Sequence, residues 1–336
     1  MNKIAKTVLI TGTALCAAGV VLSTAGYFAG GKDFTYTSDH MYVSGGNSSS
    51  RKNLTVMKKE QIDDFMKLNV DFEDFDLDIR TSDDDHYYME YKLEKNGRKN
   101  PLTWKDKDGE LTLEESAGGS GSYYITYDLG IFSTHADLTE KKDALNTVVL
   151  YIPEKAQLSE AKLQLSDGDI AADQLLCKEM TLELLNGDLM LDKGEFEKFD
   201  AKLSDGDLNV KELQCTDNMQ LKSGNGDVTI KKAELADGQI ALSDGDIQID
   251  NSSFNGDMKI NSSCGDVSVE MKNGSAEKTN IYLKAADGDV DTEGLSRGKT
   301  DNEEDTSVYE NKAGASAPTL NVECSDGDIT LTESEK

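Results

Sequence analysis

The chain has 336 residues, with 35 basic and 64 acidic side chains and a formal net charge of −29. A surface of that sign repels the phosphates of nucleic acid and the headgroups of anionic lipids, and it attracts cations. Aromatic residues make up 7% and the hydrophobic share is 37%, thin for a compact globule but sufficient for an elongated fold with a narrow core.

The N-terminus opens on VLITGTALCAAGVVLSTAGYFAG, residues 8–30, which carries no charge. That length crosses a ~30 Å hydrocarbon layer as a helix, and Lys3 and Lys6 before it place the N-terminus inside. Residues 1–31 are therefore expected to hold one N-terminal transmembrane helix. The protein would contact the membrane through residues 8–30, pass it once, and carry its C-terminal domain outside the cytoplasm. The alternative is a cleaved signal peptide ending at Ser23-Thr24-Ala25, which leads to the same compartment. Leu15 directly before Cys16 argues against lipid attachment there.

Residues 32–59 are polar and include SGGNSSSRKN, a composition that predicts a flexible stalk. Residues 60–150 read as an N-terminal β sector and cap. Leu68, Val70 and Phe72, then Phe75, Leu77 and Ile79, alternate with polar residues as half-buried strands do. The aromatic residues gather at 87–132: Tyr87, Tyr88, Tyr91, Trp104, Tyr123, Tyr124, Tyr127 and Phe132. Such rings either close the open end of a core or stack on sugars.

Residues 151–336 repeat. Gly168, Gly187, Gly206, Gly226, Gly245, Gly265, Gly288 and Gly327 are each followed by Asp, at spacings of 19, 19, 20, 19, 20, 23 and 39. A period near 20 marks a solenoid, and the last gap reads as one coil with a loop insertion at 296–317. Aliphatic residues recur five places before the glycine and two and four places after it, as Leu221, Val228 and Ile230 do around Gly226. Each coil is thus a strand, a tight turn and a second strand, with one face inward. Glycine supplies the positive φ that the turn needs, and Asp or Asn before it suits the turn. The expected fold is all-β, a β-solenoid of 19–20-residue coils. An antiparallel meander of hairpins stays open as an alternative, because Asn-Gly in LLNGDLM also favours two-residue hairpin turns.

Cys177 and Cys215 lie in a column with Phe196, Leu235 and Phe254, as small buried hydrophobes do. Two coils separate them, about 9.6 Å at strand spacing, beyond the ~7 Å reach of a disulfide. Free thiols are expected.

The aspartates after the glycines, Asp169, Asp188, Asp207, Asp227, Asp246 and Asp266, with Asp289 and Asp328 beyond them, would stack ~4.8 Å apart. Neighbouring charges at that distance repel, by about 0.9 kcal/mol in bulk water. Hydrogen bonds to turn amides and solvent screening would offset this, or Ca²⁺ would, since carboxylates and backbone carbonyls are its ligands. No other cofactor is expected. Catalysis by a carboxylate pair needs unlike environments, and here every repeat Asp has the same local context. His40, His86 and His135 form no metal-ligand spacing, and DDDHYY at 83–88 reads as a solvated loop. The chain is expected not to be an enzyme and not to bind nucleic acid.

The uncharged N-terminal run, the polar stalk, the alternating first strand pair, VVLYIPEK at 148–155 and the serial SDGDI turns together resemble a bacterial putative-adhesin family with β-strand repeats, over roughly residues 60–333. The resemblance implies a β-helix-like fold in a membrane-anchored envelope protein that acts as an adhesin or surface scaffold. Its partner would be a surface protein or a glycan. The resemblance also admits an accessory of the envelope stress response that binds another membrane protein, with a glycan-active β-helix enzyme as the third reading. The family has no assigned catalytic residues to carry over.

Overall fold

The structure is a computed structural model, and it describes residues 34–36, 41–43, 54–117, 145–292, 295, 298–303 and 306–334. The segment 8–30 lies outside these residues, as do Cys16, His40, His135, Tyr123, Tyr124, Tyr127 and Phe132. Among the described residues no helix is long and apolar enough to cross a membrane. The chain divides into two units, Met1–Leu54 with Gly118–Lys141, and Thr55–Ala117 with Lys142–Lys336. In the first, β1 (Phe34–Tyr36) and β2 (Met41–Val43) form an antiparallel pair within the span read as a stalk.

The second unit begins with β3 (Leu54–Ile62), β4 (Lys67–Phe72), β5 (Asp76–Ser82), β6 (Tyr87–Glu94), β7 (Leu102–Lys107), β8 (Glu110–Glu115) and β9 (Thr147–Pro153). The regular repeats follow as β10 (Leu158–Leu165), β11 (Ile170–Asn186), β12 (Leu189–Asp205), β13 (Leu208–Asn225), β14 (Val228–Lys231), β15 (Ala233–Asp244), β16 (Ile247–Phe254), β17 (Met258–Cys264) and β18 (Val267–Met271). The chain ends in β19 (Asn280–Asp287), β20 (Val290–Asp291), β21 (Lys299–Glu303), β22 (Thr306–Asn311), β23 (Thr319–Asp326) and β24 (Ile329–Glu333). The segment 296–317 thus carries a strand pair of its own.

Successive repeats pair in parallel, Leu182 with Ala201, Ala201 with Leu221 and Leu221 with Ile240. Parallel pairing one coil apart is solenoid geometry and excludes the hairpin meander, whose neighbours would run antiparallel. Around Gly206 the inward residues are Phe199, Ala201 and Leu203 before the glycine and Leu208, Val210, Leu213 and Cys215 after it, none more than 3% exposed. Their period of two is the strand period.

It breaks three times per coil: at the glycine, between Val210 and Leu213, and after Cys215. Each break is a corner, so a coil has three short faces. At the second corner Lys232 and Asn251 take φ of +50° and +41°. The third corner absorbs the variation in coil length. Phe196 pairs with Cys215, 19 residues on, whereas Lys198 pairs with Asn218, 20 residues on, across a register shift. The alternation of 19 and 20 is therefore one bulged residue at one corner, and the core columns stay in phase.

The stack departs from chain order at both ends. β4 and β5 form a coil directly beneath β10 and β11, and β8 and β9 form another outside it. At the far end β23 and β24 lie on β17 and β18, and β19 and β20 lie outside them. The linear order expected for Gly265, Gly288 and Gly327 is corrected accordingly: Gly327 follows Gly265 in space, and Gly288 is last. The longer spacing from Gly265 to Gly288 contains a 3-10 turn at Ala276–Lys278, over which the chain steps past one coil height.

Candidate functional site

The feature that repeats is the Gly-Asp turn, and the chemistry of the molecule concentrates there. A Cβ on Gly206 would stand 2.1 Å from the Gly187 carbonyl oxygen, and one on Gly226 would stand 2.2 Å from that of Gly206. The sequence assigned these glycines to backbone conformation. Gly206, Gly226, Gly245, Gly265 and Gly327 do have φ between +114° and +140°. Gly187 and Gly288, at +159° and +157°, are close to extended, and Gly168 is not among the positive-φ residues. What all eight share is the approach of backbone to backbone between coils, which leaves no room for a side chain.

That approach builds a ladder. The amide of Asp188 donates to Oδ1 of Asp169 at 2.9 Å, that of Asp207 to Asp188 at 2.8 Å, and that of Asp227 to Asp207 at 2.8 Å. Asp246 and Asp266 continue at 2.9 and 2.8 Å, then Asp328 and Asp289 at 2.9 and 2.8 Å. Each carboxylate accepts the backbone N–H of the next coil, a charge-assisted bond. This answers the repulsion that the sequence posed.

The ladder starts one step earlier than the glycines indicate, because the Asp169 amide donates to Asp76 Oδ1 at 3.0 Å. Phe75 stands where later coils have glycine, and its carbonyl oxygen lies 2.1 Å from the Cβ position of Gly168. The signal was present as Asp76-Leu77-Asp78-Ile79, the Asp-aliphatic phrase without its glycine. Beside this ladder runs a second column, in which Asn186 Nδ2 donates to Asp167 at 2.7 Å and Asn225 Nδ2 to Asp205 at 2.6 Å. Asparagine interleaved with aspartate turns a charge repulsion into a hydrogen bond. The third corner uses the same device: the Asp257 amide donates to Asp237 Oδ1 at 2.7 Å and the Thr319 amide to Asp257 Oδ1 at 2.9 Å. Asn255-Gly256-Asp257 was its sequence signal.

At the N-terminal end the Asp76 amide donates to the Asn146 carbonyl at 2.9 Å, and the turn just before Asp76 is held by a buried ion pair. Glu115 Oε2 accepts the amides of Glu73, Asp74 and Phe75 at 2.9, 2.7 and 3.2 Å. Its Oε1 lies 2.7 Å from Arg98 Nη1, and the two side chains are 1% and 6% exposed. Arg98 Nη1 also donates to the Ser116 carbonyl at 2.8 Å. Nothing in the sequence distinguishes Glu115 from its acidic neighbours.

Asp169, Asp188, Asp207, Asp227, Asp246 and Asp266, the candidate calcium column, thus form a row of single acceptors, one per coil. Ca²⁺ takes six to eight converging oxygens, and among the described residues no three His, Cys, Asp or Glu side chains are placed to hold a metal. Cys177, Cys215 and Cys324 are buried free thiols, and Cys264 is an exposed one in the column of Asp244 and Asp326. Burial pushes the Cys177 thiol up to about 12 and raises those of Cys215 and Cys324.

In the 83–88 loop the Tyr88 hydroxyl donates to Asp84 at 2.7 Å and the His86 amide to the same carboxylate at 2.9 Å. The tyrosine bond first, then the amide, hold Asp84 below the usual carboxylate range. Of the aromatic sector, Tyr87 packs on Phe65 with centroids 4.7 Å apart and Tyr91 lies against the core, whereas Trp104 is 38% exposed.

A family model described as Toastrack DUF4097 matches residues 65–332. The chain belongs to the Toastrack DUF4097 family. The matched span runs from the turn before β4 into β24, so the Toastrack domain takes in the whole coil stack with both interleaved ends. Among solved structures the chain is similar to one from Parabacteroides merdae described as a putative adhesin, at 15% identity and a TM-score of 0.47, covering 86% of this chain and 98% of that one. It is similar also to one from Parabacteroides distasonis described as a putative adhesin, at 16% identity and a TM-score of 0.42, covering 84% and 97%. A third, also from Parabacteroides distasonis, is described as a putative lipid binding protein, at 12% identity and a TM-score of 0.45, covering 85% and 98%. No curated protein matches the chain.

Proposed function

We propose that this Toastrack chain is a non-catalytic, single-pass envelope protein that displays its solenoid outside the cytoplasm as an adhesin or surface scaffold. The observation that carries the reading is the aspartate ladder. The residues that recur most regularly, and that have acid–base chemistry to offer, are spent on joining one coil to the next. They share one environment, whereas a carboxylate pair working as acid and base needs two. The uncharged run 8–30 behind two lysines supports the anchor. Protease added outside intact protoplasts degrades residues 32–336 of the membrane-pelleted protein under this reading, and protection of that span would overturn it.

Trp104, exposed on β7, favours a glycan as the surface partner, since an open indole face stacks on sugar rings. Capture from envelope extract by the full-length protein tests this. A glycan partner is lost on Trp104→Ala, whereas recovery of a membrane protein by both forms supports the stress-accessory reading.

A further inference from the structure

The coils at the two ends of the stack are interleaved. The first coil of the sequence, β4–β5, lies between β8–β9 on one side and β10–β11 on the other, and every pairing is parallel. The last coil, β23–β24, is held likewise between β17–β18 and β19–β20. The turn ladder runs through the insertion without interruption, from Asp266 Oδ1 to the Asp328 amide at 2.9 Å and from Asp328 Oδ1 to the Asp289 amide at 2.8 Å.

Both outermost coils come from nearer the middle of the sequence, and each is tied to added antiparallel strands. β7 pairs with β8 and β6 with β9 at one end; β22 pairs with β19 and β21 with β22 at the other. The return from β22 to β23 is pinned by Asn280. Its Oδ1 accepts the amides of Ala313 and Gly314 at 3.0 and 3.2 Å, and its Nδ2 donates to the Gly314 and Ala317 carbonyls at 2.9 and 3.0 Å.

In a solenoid whose outermost coil is also the chain end, tension on that end breaks one interface and peels one coil. Here tension on the C-terminus meets a coil bonded on both sides, and tension on the N-terminus meets such a coil once β3, which pairs with β6, has been passed. We propose that this interleaving is a mechanical lock: force entering at either terminus passes to inner coils, and the stack does not unravel coil by coil. The lock goes beyond the surface-display reading and does not depend on it.

The full-length chain, held by tags at its two termini in optical tweezers, tests the lock. One coil released alone adds ~7 nm of contour, at ~3.6 Å per residue. Release of β23–β24 strips β19–β22 of their seat, so the span from Asn280 to Glu333 comes off together, ~20 nm. The lock predicts that no ~7 nm event precedes the first rupture of the stack, and that this rupture is ~20 nm or longer. Gly327→Val, which puts a side chain where the Gly265 carbonyl oxygen is 2.5 Å from the Cβ position, lowers the force of that first rupture without shortening it. A staircase of ~7 nm steps beginning at either terminus would overturn the lock. It would leave the surface-display reading standing, since protease accessibility decides that separately.

Discussion

At Gly206 the fit between coils is set by a single missing atom. With φ at +136° and the Gly187 carbonyl oxygen 2.1 Å from the Cβ position, Gly206→Ala meets both backbone strain and overlap. It is expected to destabilise the fold by about 2–4 kcal/mol, read as a lower urea midpoint. An unchanged midpoint would mean that the coils can part there at no cost. Arg98→Met leaves Glu115 buried without its cation and is expected to cost about 3–5 kcal/mol. A loss below ~1 kcal/mol would place the pair in the range of exposed surface bridges.

The Cys177 thiol has an ordinary value of 9.0 and stands at about 12 when folded, because burial disfavours the thiolate. The folded state therefore keeps a proton that the unfolded chain releases. The contribution of the Cys177 thiol to stability is fully present below pH 9 and is lost as pH rises toward about 12. Burial raises Tyr87 and Tyr91 in the same direction. The urea midpoint should fall between pH 9 and 11, and less steeply in Cys177→Ala. Equal slopes in the two proteins would contradict this assignment.

Within one element, the three corners differ in what they tolerate. The third already accepts an extra residue, Phe196 with Cys215 giving way to Lys198 with Asn218. A glycine inserted after Glu197 is expected to cost about 1 kcal/mol or less. The same insertion after Lys202 turns Leu203, buried at 3%, toward solvent, and it is expected to cost about 3–5 kcal/mol. Equal thermal shifts for the two insertions would argue against three faces. The strands and their inward columns were legible from alternation alone, because a period of two is a direct imprint of the pleat. The first ladder step was marked only by the phrase Asp76-Leu77-Asp78-Ile79, because Phe75 replaces the glycine that marks every later turn. The role of Glu115 was not legible, since it is defined by three amides some 40 positions away.

Over the whole molecule, the period in the sequence showed a solenoid but not the order in which coils stack. The spacing from Gly288 to Gly327 reads equally as a loop on one coil or as a return into a slot, because glycine spacing carries no sign of direction in space. The pairing of β23 with both β17 and β19 decides it. What holds the ordered stack together is, on this account, a carboxylate-to-amide ladder that needs an acceptor oxygen on each rung and no cation. The most direct measurement is the urea midpoint, in EDTA, of a chain in which Asp169, Asp188, Asp207, Asp227, Asp246, Asp266 and Asp328 are all changed to Asn. Every rung keeps an oxygen that can accept the next amide, and the charge repulsion along the column is removed. The midpoint is predicted to stay at or above that of the parent chain, with millimolar calcium adding nothing to either protein beyond a salt control. A chain that loses its fold on this change would contradict a ladder that needs only an acceptor oxygen on each rung, and a parent whose midpoint rises with calcium while the Asn form does not respond would make the column a cation site.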